Sequence, residues 1–259
     1  MRQTVVRLLP AFALLAALLG TWELYVELAG VEADLLPAPH AVAAALWENR
    51  SLLWHNFTVT AEEVVLGLAL ALTAGLAMAV AVHLSPPLRR ALYPLAVGSQ
   101  AIPIPVVGVL LVFWWGFGLF PKLVVIALIC FFPVLVTTVD GLASVDPDQP
   151  KLLRTLDASR WQAFRFAELP AALPAALSGA RIALAVGVIG AFIAETTTPT
   201  SGAYPGLGRE IMSDVNFLTP RAYAGTVLLF AFAIACFQAL GVAERRLAPW
   251  TIRSQGENR

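Results

Sequence analysis

Few residues in this 259-residue chain could do chemistry, and none of them stands in a catalytic or metal-binding pattern. The three histidines, His40, His55 and His83, have no metal-ligand spacing, and no G-x-S-x-G, H-E-x-x-H or G-x-x-x-x-G-K-[ST] motif occurs. Cys130 and Cys236 lie within apolar stretches, so we expect two core residues and no disulfide. The sequence therefore predicts a protein that is not an enzyme and has no metal ligands.

A different chemistry, recognition by charged and aromatic groups, is concentrated in DPDQPKLLRTLDASRWQAFRFAELPAALP, residues 146–174. Its pattern predicts a helix over about Pro147–Leu156, which Asp157 ends. A second helix, capped by Ser159, is predicted to run to about Ala167. The basic residues that flank these two helices are Lys151, Arg154, Arg160 and Arg165.

Both predicted helices are amphipathic. Leu152, Leu153 and Leu156 form one apolar stripe, and Trp161 and Phe164, three positions apart, form another. A short amphipathic helix pair either lies on lipid headgroups or fills a groove in a soluble partner. The composition of the segment leaves both alternatives open.

The elements that must position this segment are apolar. The chain is 59% hydrophobic and only 13% charged, whereas a soluble domain carries about 25% charged residues. We predict an all-α membrane protein with about six transmembrane helices, each near the roughly 20 residues that cross a bilayer. The first apolar stretch has no clear cleavage site, so we interpret it as a retained span and not a signal peptide. The predicted spans are Leu8–Leu28, Val64–Leu84, Leu92–Trp115, Lys122–Val139, Ala172–Ala194 and Tyr223–Val242.

Prolines interrupt the third span. SQAIPIPVVG, residues 99–108, predicts a helix broken at membrane depth, because each proline removes a backbone hydrogen bond. Such a break either lines a pathway or is a kink for packing. The predicted substrate-pathway residues are Gln100, Pro103, Pro105 and Glu195. Glu195 ends its span, as Glu62 and Glu63 begin theirs, so an interfacial position is the alternative for these three.

Orientation follows from the placement of the basic residues. With the N-terminus in the cytoplasm, 13 of the 17 Lys and Arg residues lie on or near the cytoplasmic side. The other four, Arg50, Lys122, Arg209 and Arg221, lie outside. We therefore predict one transmembrane domain over residues 1–259, with both termini and residues 140–171 cytoplasmic. Residues 29–63 and 195–221 are predicted to be extracytoplasmic.

The two extracytoplasmic connections differ in character. The first predicts a helix at the membrane interface, with Trp47 and Trp54 at headgroup level. The second is rich in Gly, Thr and Pro and predicts one short helix near Gly208–Val215. A net charge of zero indicates no particular partner, and we expect no nucleic acid.

Two predicted spans carry a small residue at every fourth position. Such rows let helix backbones approach closely. Whether the partner helix belongs to the same chain or to a second copy is left open by the sequence. The rows are Gly67, Ala71, Gly75 and Ala79 in the second span, and Gly179, Ala183, Gly187 and Ala191 in the fifth.

The segment with the two short helices resembles the cytoplasmic EAA loop of ABC importer permeases. That loop follows the pattern Glu-Ala-Ala, three residues, Gly, nine residues, an apolar residue, one residue, Leu-Pro. Here Ala167, Leu169 and Pro170 fit, while Lys151-Leu152-Leu153 replaces Glu-Ala-Ala and Asp157 replaces Gly. Asp is one of the few residues that visit the left-handed conformation suited to that turn. The residues that the resemblance assigns to ATPase coupling are Arg154, Leu156, Asp157, Ala158, Ser159, Arg160, Trp161, Phe164, Arg165, Leu169 and Pro170.

The resemblance covers nearly the whole chain. SQAIPIPVVGVLLVFWWGFGLFPKLVVIALICFFPVLVTTVDGLASVDPD, VGVIGAFIAE and SGAYPGLG are similar to nitrate/sulfonate/taurine-type permeases, and CFFPVLVTTVDGL to those for thiamine-pyrimidine precursors or riboflavin. The resemblance implies a type I importer permease in a bacterial inner membrane, paired with a second copy. It further implies two ATPase subunits that bind ATP and Mg²⁺, and a periplasmic or lipid-anchored binding protein that delivers a small organic solute.

Two other functions remain alternatives on the sequence. A stand-alone secondary transporter would favour internal repeats and ionisable residues in mid-span. An intramembrane enzyme would require reactive groups in a catalytic constellation. The sequence indicates neither set of features, so we expect an importer permease.

Overall fold

The computed structural model describes residues 2–146, 148–197 and 205–247, and the side chains of these except 2–9, 150, 154, 245 and 247. The regular structure in this part of the chain is helical. The α-helices are α1 (Arg2–Ala29), α2 (Pro39–Glu48), α3 (Arg50–Leu84), α4 (Pro86–Gly98), α5 (Ile104–Trp115), α6 (Leu119–Ala143), α7 (Asp148–Thr155), α8 (Arg160–Ala163), α9 (Leu169–Thr197), α10 (Leu207–Asp214) and α11 (Thr219–Leu247). A 3-10 turn covers Ser99–Ala101, and a π-helix covers Phe164–Glu168.

Five helices in the described residues are long and apolar enough to cross a membrane. A sixth span exists if α4 and α5, bent by 100° between Ala101 and Ile104, count as one. The predicted all-α membrane protein with about six spans is confirmed. The five are Pro10–Ala29, Arg50–Leu84, Leu119–Ala143, Arg160–Thr197 and Thr219–Glu244.

The break in the third span arises where the sequence predicted it. Ile102 is extended, with φ −82° and ψ 124°, because the residue before a proline is pushed out of the helical region. Pro103 and Pro105 then occupy the N-cap and the first turn of α5, where a missing N–H costs nothing. After α5, Gly116 and Gly118 have φ of 76° and 151°, which only glycine adopts without strain.

The predicted interfacial helix is shorter than expected. Trp47 lies on α2, but Trp54 lies on α3, which begins at Arg50 and runs for 35 residues. The helix that contains the predicted second span therefore begins nearly four turns before Val64. Residues 50–64 contain no glycine or proline to end a helix. The predicted short helix near Gly208–Val215 is confirmed as α10.

The described residues form two compact units, 2–59 with 205–230 and 60–197 with 231–247. In the first unit Arg221 binds Asp214 through two hydrogen bonds of 2.5 Å and Glu210 at 3.0 Å. Burial and the neighbouring Asp214 raise the pKa of Glu210, and the charge of Arg221 opposes the rise. The Asn56 carboxamide accepts a hydrogen bond from the Gly206 N–H at 3.4 Å. These contacts fix α10 within its unit.

In the second unit α6 packs most extensively against α9 and also contacts α5. The rows of small residues on α3 and α9 explain how these helices approach α6 closely. A Cβ at Gly67 of α3 would lie 2.6 Å from Ile126, and one at Gly187 of α9 would lie 2.9 Å from the Cys130 sulfur. Both contacted residues belong to α6. The partner of both rows is therefore a helix of the same chain.

Candidate functional site

The turn between α7 and α8 has a defined backbone geometry. Asp157 has a φ of 58° and is the one residue other than glycine with positive φ in the described part of the chain. The N–H of Ala158 donates to the carbonyl of Leu153 at 3.1 Å, the hydrogen bond that ends a helix at a left-handed residue. Asp thus occupies the conformation that the loop pattern gives to glycine.

Ser159 caps α8 as predicted, and its cap is reciprocal. The Gln162 N–H donates to Ser159 Oγ at 3.2 Å, and the Ser159 N–H donates to Gln162 Oε1 at 2.7 Å. Such a capping box satisfies two N–H groups that otherwise have no partner at a helix start. The turn and the cap together hold α7 and α8 in one arrangement.

The apolar side chains of this segment divide into an outer and an inner set. The exposed fractions of Leu152, Leu156, Trp161 and Phe166 are 66%, 73%, 56% and 68%, whereas that of Phe164 is 2%. Two of the outer side chains, Leu152 and Phe166, line a groove of about 530 Å³ between α7 and the start of α9. We call the outer set, with the exposed Arg160 and Arg165, the α7–α8 surface. The side chain of Arg154 lies outside the described residues.

Phe164 points into the protein and anchors the segment. It is buried with Leu142 and Ala172, and its ring lies 5.3 Å from that of Trp161 and 6.0 Å from that of His83. Beside it, His83 Nε2 at the end of α3 is 2.7 Å from the Glu168 carboxylate. The sequence treated Trp161 and Phe164 alike, but the structure separates them into an exposed and a buried ring.

The π-helix joins α8 to α9 without an interruption in the helical rod. The N–H of Leu169 donates to the carbonyl of Phe164, five residues back. Pro170 follows and has no N–H to donate. Residues 160–197 thus form one continuous 38-residue helix, as expected for a segment continuous with the fifth span.

The predicted pathway residues fall in two places. Gln100, Pro103 and Pro105 lie at the 100° bend and are exposed. Glu195 lies on α9 and is 1% exposed. Thr60 donates a hydrogen bond of 2.5 Å to its carboxylate. Glu195 is thus buried within the protein near the end of α9.

A lysine and a second carboxylate are also buried. Lys122 is 0% and Glu63 2% exposed, and Lys122 Nζ donates to Glu63 Oε1 at 2.7 Å. Glu62, the neighbour of Glu63 on α3, is exposed. Sequence reasoning missed the pair, because 59 residues separate its members. The available signal was an ionisable residue at the start of each of two predicted spans.

The sequence predicted no metal ligands. Among the described residues, one group could hold a cation on distance alone, with ligand atoms of Glu23, Glu27 and His40 within 4.8 Å of one another. His40 Nδ1 forms an ion pair with Glu23 Oε1, and the His40 N–H donates to Glu23 Oε2 at 3.2 Å. These two contacts account for the closeness of His40 and Glu23.

Comparison with known proteins gives consistent matches. Residues 71–249 match the family described as binding-protein-dependent transport system inner membrane component. A probable ABC transporter permease protein of Haemophilus influenzae is 36% identical over 90% of this chain and 94% of its own length. A formylaminopyrimidine transport permease protein of Halalkalibacterium halodurans is 33% identical over 90% of this chain and 92% of its own.

Two further matches bear on function and on fold. A riboflavin transport system permease protein of Chloroflexus aurantiacus is 33% identical over 91% of this chain and 88% of its own length. The crystal structure of an amino acid ABC transporter with histidines superposes with a TM-score of 0.61 at 17% identity. The superposition covers 78% of this chain and 97% of that one, and it supports the fold alone.

Proposed function

Because the chain belongs to the family of inner-membrane components of binding-protein-dependent transport systems, we propose that it is the permease of an ATP-driven importer for a thiamine-pyrimidine precursor or a riboflavin-like solute. The importer-permease role follows from the family. The substrate is the finer step, and sulfonate, taurine and nitrate are the competing solutes. The alternative of a stand-alone secondary transporter is not favoured, since the relatives are ABC permeases.

The observation that carries the coupling role is the α7–α8 surface. Leu156 and Trp161 are 73% and 56% exposed, yet the turn at Asp157 and the capping box at Ser159 hold them rigidly. Exposed apolar side chains on a fixed frame suit insertion into a cleft of a partner. Arg160 and Arg165 flank them and can meet acidic groups there.

The partner in this proposal is an ATPase subunit. Two copies of the chain pair around the pathway, and each presents its α7–α8 surface to one of two ATPases, which bind ATP and Mg²⁺. A periplasmic or lipid-anchored binding protein delivers the solute from the other side. The chain is a multi-pass protein of the bacterial inner membrane with both termini in the cytoplasm.

The packing of the segment supports a route for the coupling. Movement of α8 passes directly into α9, because residues 160–197 form one helix. It also passes into α3, because Phe164 packs beside His83, and Glu168 is bonded to His83 at 2.7 Å. At the other end of the route, the bend at Gln100, Pro103 and Pro105 offers the freed backbone groups that a pathway can use.

Co-purification of the tagged chain with its operon neighbours tests the coupling role. We expect an ATPase subunit to co-purify and the double variant Leu156→Ala, Trp161→Ala to release it. The matched control is Leu35→Ala, Trp54→Ala, because these side chains are 76% and 59% exposed but lie elsewhere. Phe164 is left intact in this experiment, since its truncation would disturb the buried side of the segment.

Three outcomes decide the proposal. Loss of the ATPase with the α7–α8 variant but not with the control supports the coupling role. Retention of the ATPase by both variants would place the docking site elsewhere. Solute uptake by the chain alone, with no ATPase present, would establish the secondary transporter.

The substrate is tested separately, by uptake into vesicles that contain the complete transporter. We expect unlabelled formylaminopyrimidine or riboflavin to compete with its labelled form, and taurine not to compete. Competition by taurine alone would overturn the substrate assignment and leave the coupling role untouched.

A further inference from the structure

One turn of the 38-residue helix over residues 160–197 is wider than an α-helical turn. Phe164–Glu168 form a π-helix, in which the Leu169 N–H donates to the Phe164 carbonyl five residues back. A π-helix inside an α-helix accommodates one extra residue in a single turn, and such bulges are frequent at functional sites. The extra residue changes how α8, before it, is rotated about the helix axis relative to α9, after it.

The rotation of α9 is fixed by close packing against α6. Ala172 of α9 is 2% exposed. A Cβ at Gly141 of α6 would lie 3.2 Å from the Ala172 carbonyl oxygen and 2.5 Å from the Cβ of Ala175. Because α9 cannot turn about its axis without a clash with α6, the direction of Ala172 defines the inward side of the whole helix.

The π-helix decides which earlier residue shares this inward side. At about 100° per residue, an uninterrupted α-helix would place both Arg165 and Trp161 within about 20° of Ala172. Phe164, one residue further from Ala172 than Arg165, would lie about 80° away. The extra residue of the π-helix shifts these angles by about 100°. It therefore brings Phe164 to within about 20° of the inward side and turns Arg165 and Trp161 away from it.

The burial of the side chains agrees with the rotation that the π-helix produces. Phe164 is 2% exposed and is buried with Leu142 and Ala172. Arg165 is exposed, and Trp161 is 56% exposed. In an uninterrupted α-helix the Arg165 guanidinium group would point toward this apolar cluster, where burial of an unpaired charge is strongly disfavoured. The π-helix thus places a ring, and not a charge, in the buried position.

We propose that the π-helix at Phe164–Glu168 is the positioning element of the α7–α8 surface. Its extra residue directs Trp161 and Arg165 outward to the ATPase and Phe164 into the protein. The inference rests on the proposed coupling role for the identity of the partner. The rotation of α8 is a property of the chain itself and can be measured without any partner.

Single cysteines in the full chain, purified in lipid nanodiscs, test the rotation of α8 in the absence of an ATPase. The starting variant carries Cys130→Ala and Cys236→Ala, which remove the two native thiols. We expect Arg165→Cys in this variant to react fully with a bulky polar maleimide. We expect Phe164→Cys to stay unreacted until the chain unfolds. The reverse pattern, or equal reaction at the two positions, would overturn the proposal.

Changes in length test the extra residue itself. Deletion of Ala167 removes one residue between Phe164 and Ala172, so that a regular α-helix then directs Phe164 inward. We expect this variant to keep the unfolding midpoint of the wild type and to retain the ATPase on co-purification. The matched control is insertion of one alanine after Ala167, which turns α8 by about 100° and directs Arg165 inward. We expect the insertion to lower the midpoint and to release the ATPase.

The asymmetry between deletion and insertion decides the proposal. Without a π-helix, the two changes would be equally damaging, since each would turn α8 by about 100°. Damage by the deletion equal to that by the insertion, or damage by the deletion alone, would therefore overturn the proposal. Equal tolerance of both would also overturn it, because coupling would then not depend on the rotation of α8. A wild-type chain that retains no ATPase would contradict the proposed function, while the cysteine reactions and the two midpoints would still decide the rotation.

Discussion

Two lysine–carboxylate pairs in this chain have nearly the same geometry and opposite surroundings. Lys151 Nζ lies 2.8 Å from Asp148 Oδ1 on α7, and Lys122 Nζ lies 2.7 Å from Glu63 Oε1 between α6 and α3. The side chains of the first pair are 68% and 80% exposed, and those of the second are 1% and 3% exposed. The distance between the charges therefore does not indicate how much each pair contributes to the stability of the protein.

The difference lies in what water can do when a partner is lost. On α7, water solvates a lysine whose aspartate has been removed, so the pair adds little to stability. In the interior no water replaces the partner, and an unpaired charge must be neutralised or the packing must open. The exposed Lys151–Asp148 pair can thus exchange its partners, whereas the buried Lys122–Glu63 pair is held in one arrangement.

Lys122→Met should produce the largest effect. It removes the ammonium group that is bonded to the buried Glu63 carboxylate, and we expect a loss of about 3–5 kcal/mol in unfolding free energy. For a chain of this size that corresponds to roughly 10 °C in the unfolding midpoint. The midpoint is measured with a thiol-reactive dye. The free thiol of Cys130 is 0% exposed, so it reacts with the dye only when the chain unfolds.

The control for this change is Lys151→Met, which removes the exposed partner of Asp148. We expect its midpoint to equal that of the wild type. Equal losses in the two variants would show that the interior of the second unit is hydrated and that the contrast between the pairs is wrong.

Phe164→Ala and Trp161→Ala test the same contrast between a buried and an exposed side chain on two neighbouring aromatic rings. Phe164 is 2% exposed against Leu142 and Ala172, so its truncation should cost about 3 kcal/mol, the lower end for a buried phenylalanine. Trp161 is 56% exposed, so its truncation should leave the midpoint unchanged and weaken retention of the ATPase. Destabilisation by Trp161→Ala comparable to that by Phe164→Ala would mean that the outer set also supports the fold.

The sequence predicted the local features of the α7–α8 surface well. The break at Asp157 and the cap at Ser159 depend on residues a few positions apart, so the pattern of the chain contains them. The 100° bend near Pro103 and Pro105 was predictable for the same reason. The opposite exposures of Trp161 and Phe164 were not predictable, because the π-helix at Phe164–Glu168 decides which ring faces Leu142.

The buried contacts of Lys122 with Glu63 and of Thr60 with Glu195 could not be predicted from local pattern. The hydrogen bond from Thr60 to Glu195 joins residues 135 positions apart, and only the packing of α3, α6 and α9 brings them together. Lys122 stood at the edge of an apolar stretch, which favoured an interfacial position outside. Likewise, the row of small residues that contains Gly67 predicted close packing, but it did not identify α6 as the partner.

Gly67→Val tests that packing with a smaller effect. A Cβ at Gly67 would lie 2.6 Å from Ile126 Cγ2, so α3 must move away from α6, at about 1–3 kcal/mol. Gly20→Val on α1 is the matched control, because no atom lies within 4 Å of a Cβ there. We expect a lowered midpoint for the first variant only. A lowered midpoint for Gly20→Val alone would indicate that α1, and not α3, packs closely against a neighbour.

Asp157→Gly, in the exposed segment, should produce the smallest change in unfolding free energy. We expect this change to be stabilising. Asp157 holds a φ of 58°, which costs an L-residue roughly 1–2 kcal/mol and glycine nothing. Glycine also loses more backbone entropy on folding, by roughly 0.5–1 kcal/mol, so we expect a net gain below about 1 kcal/mol. Asp157→Ala keeps the steric cost and gains no conformational freedom, so its midpoint should not rise. A rise with alanine equal to that with glycine would show that the side-chain charge, and not the left-handed backbone, limits the stability of this turn.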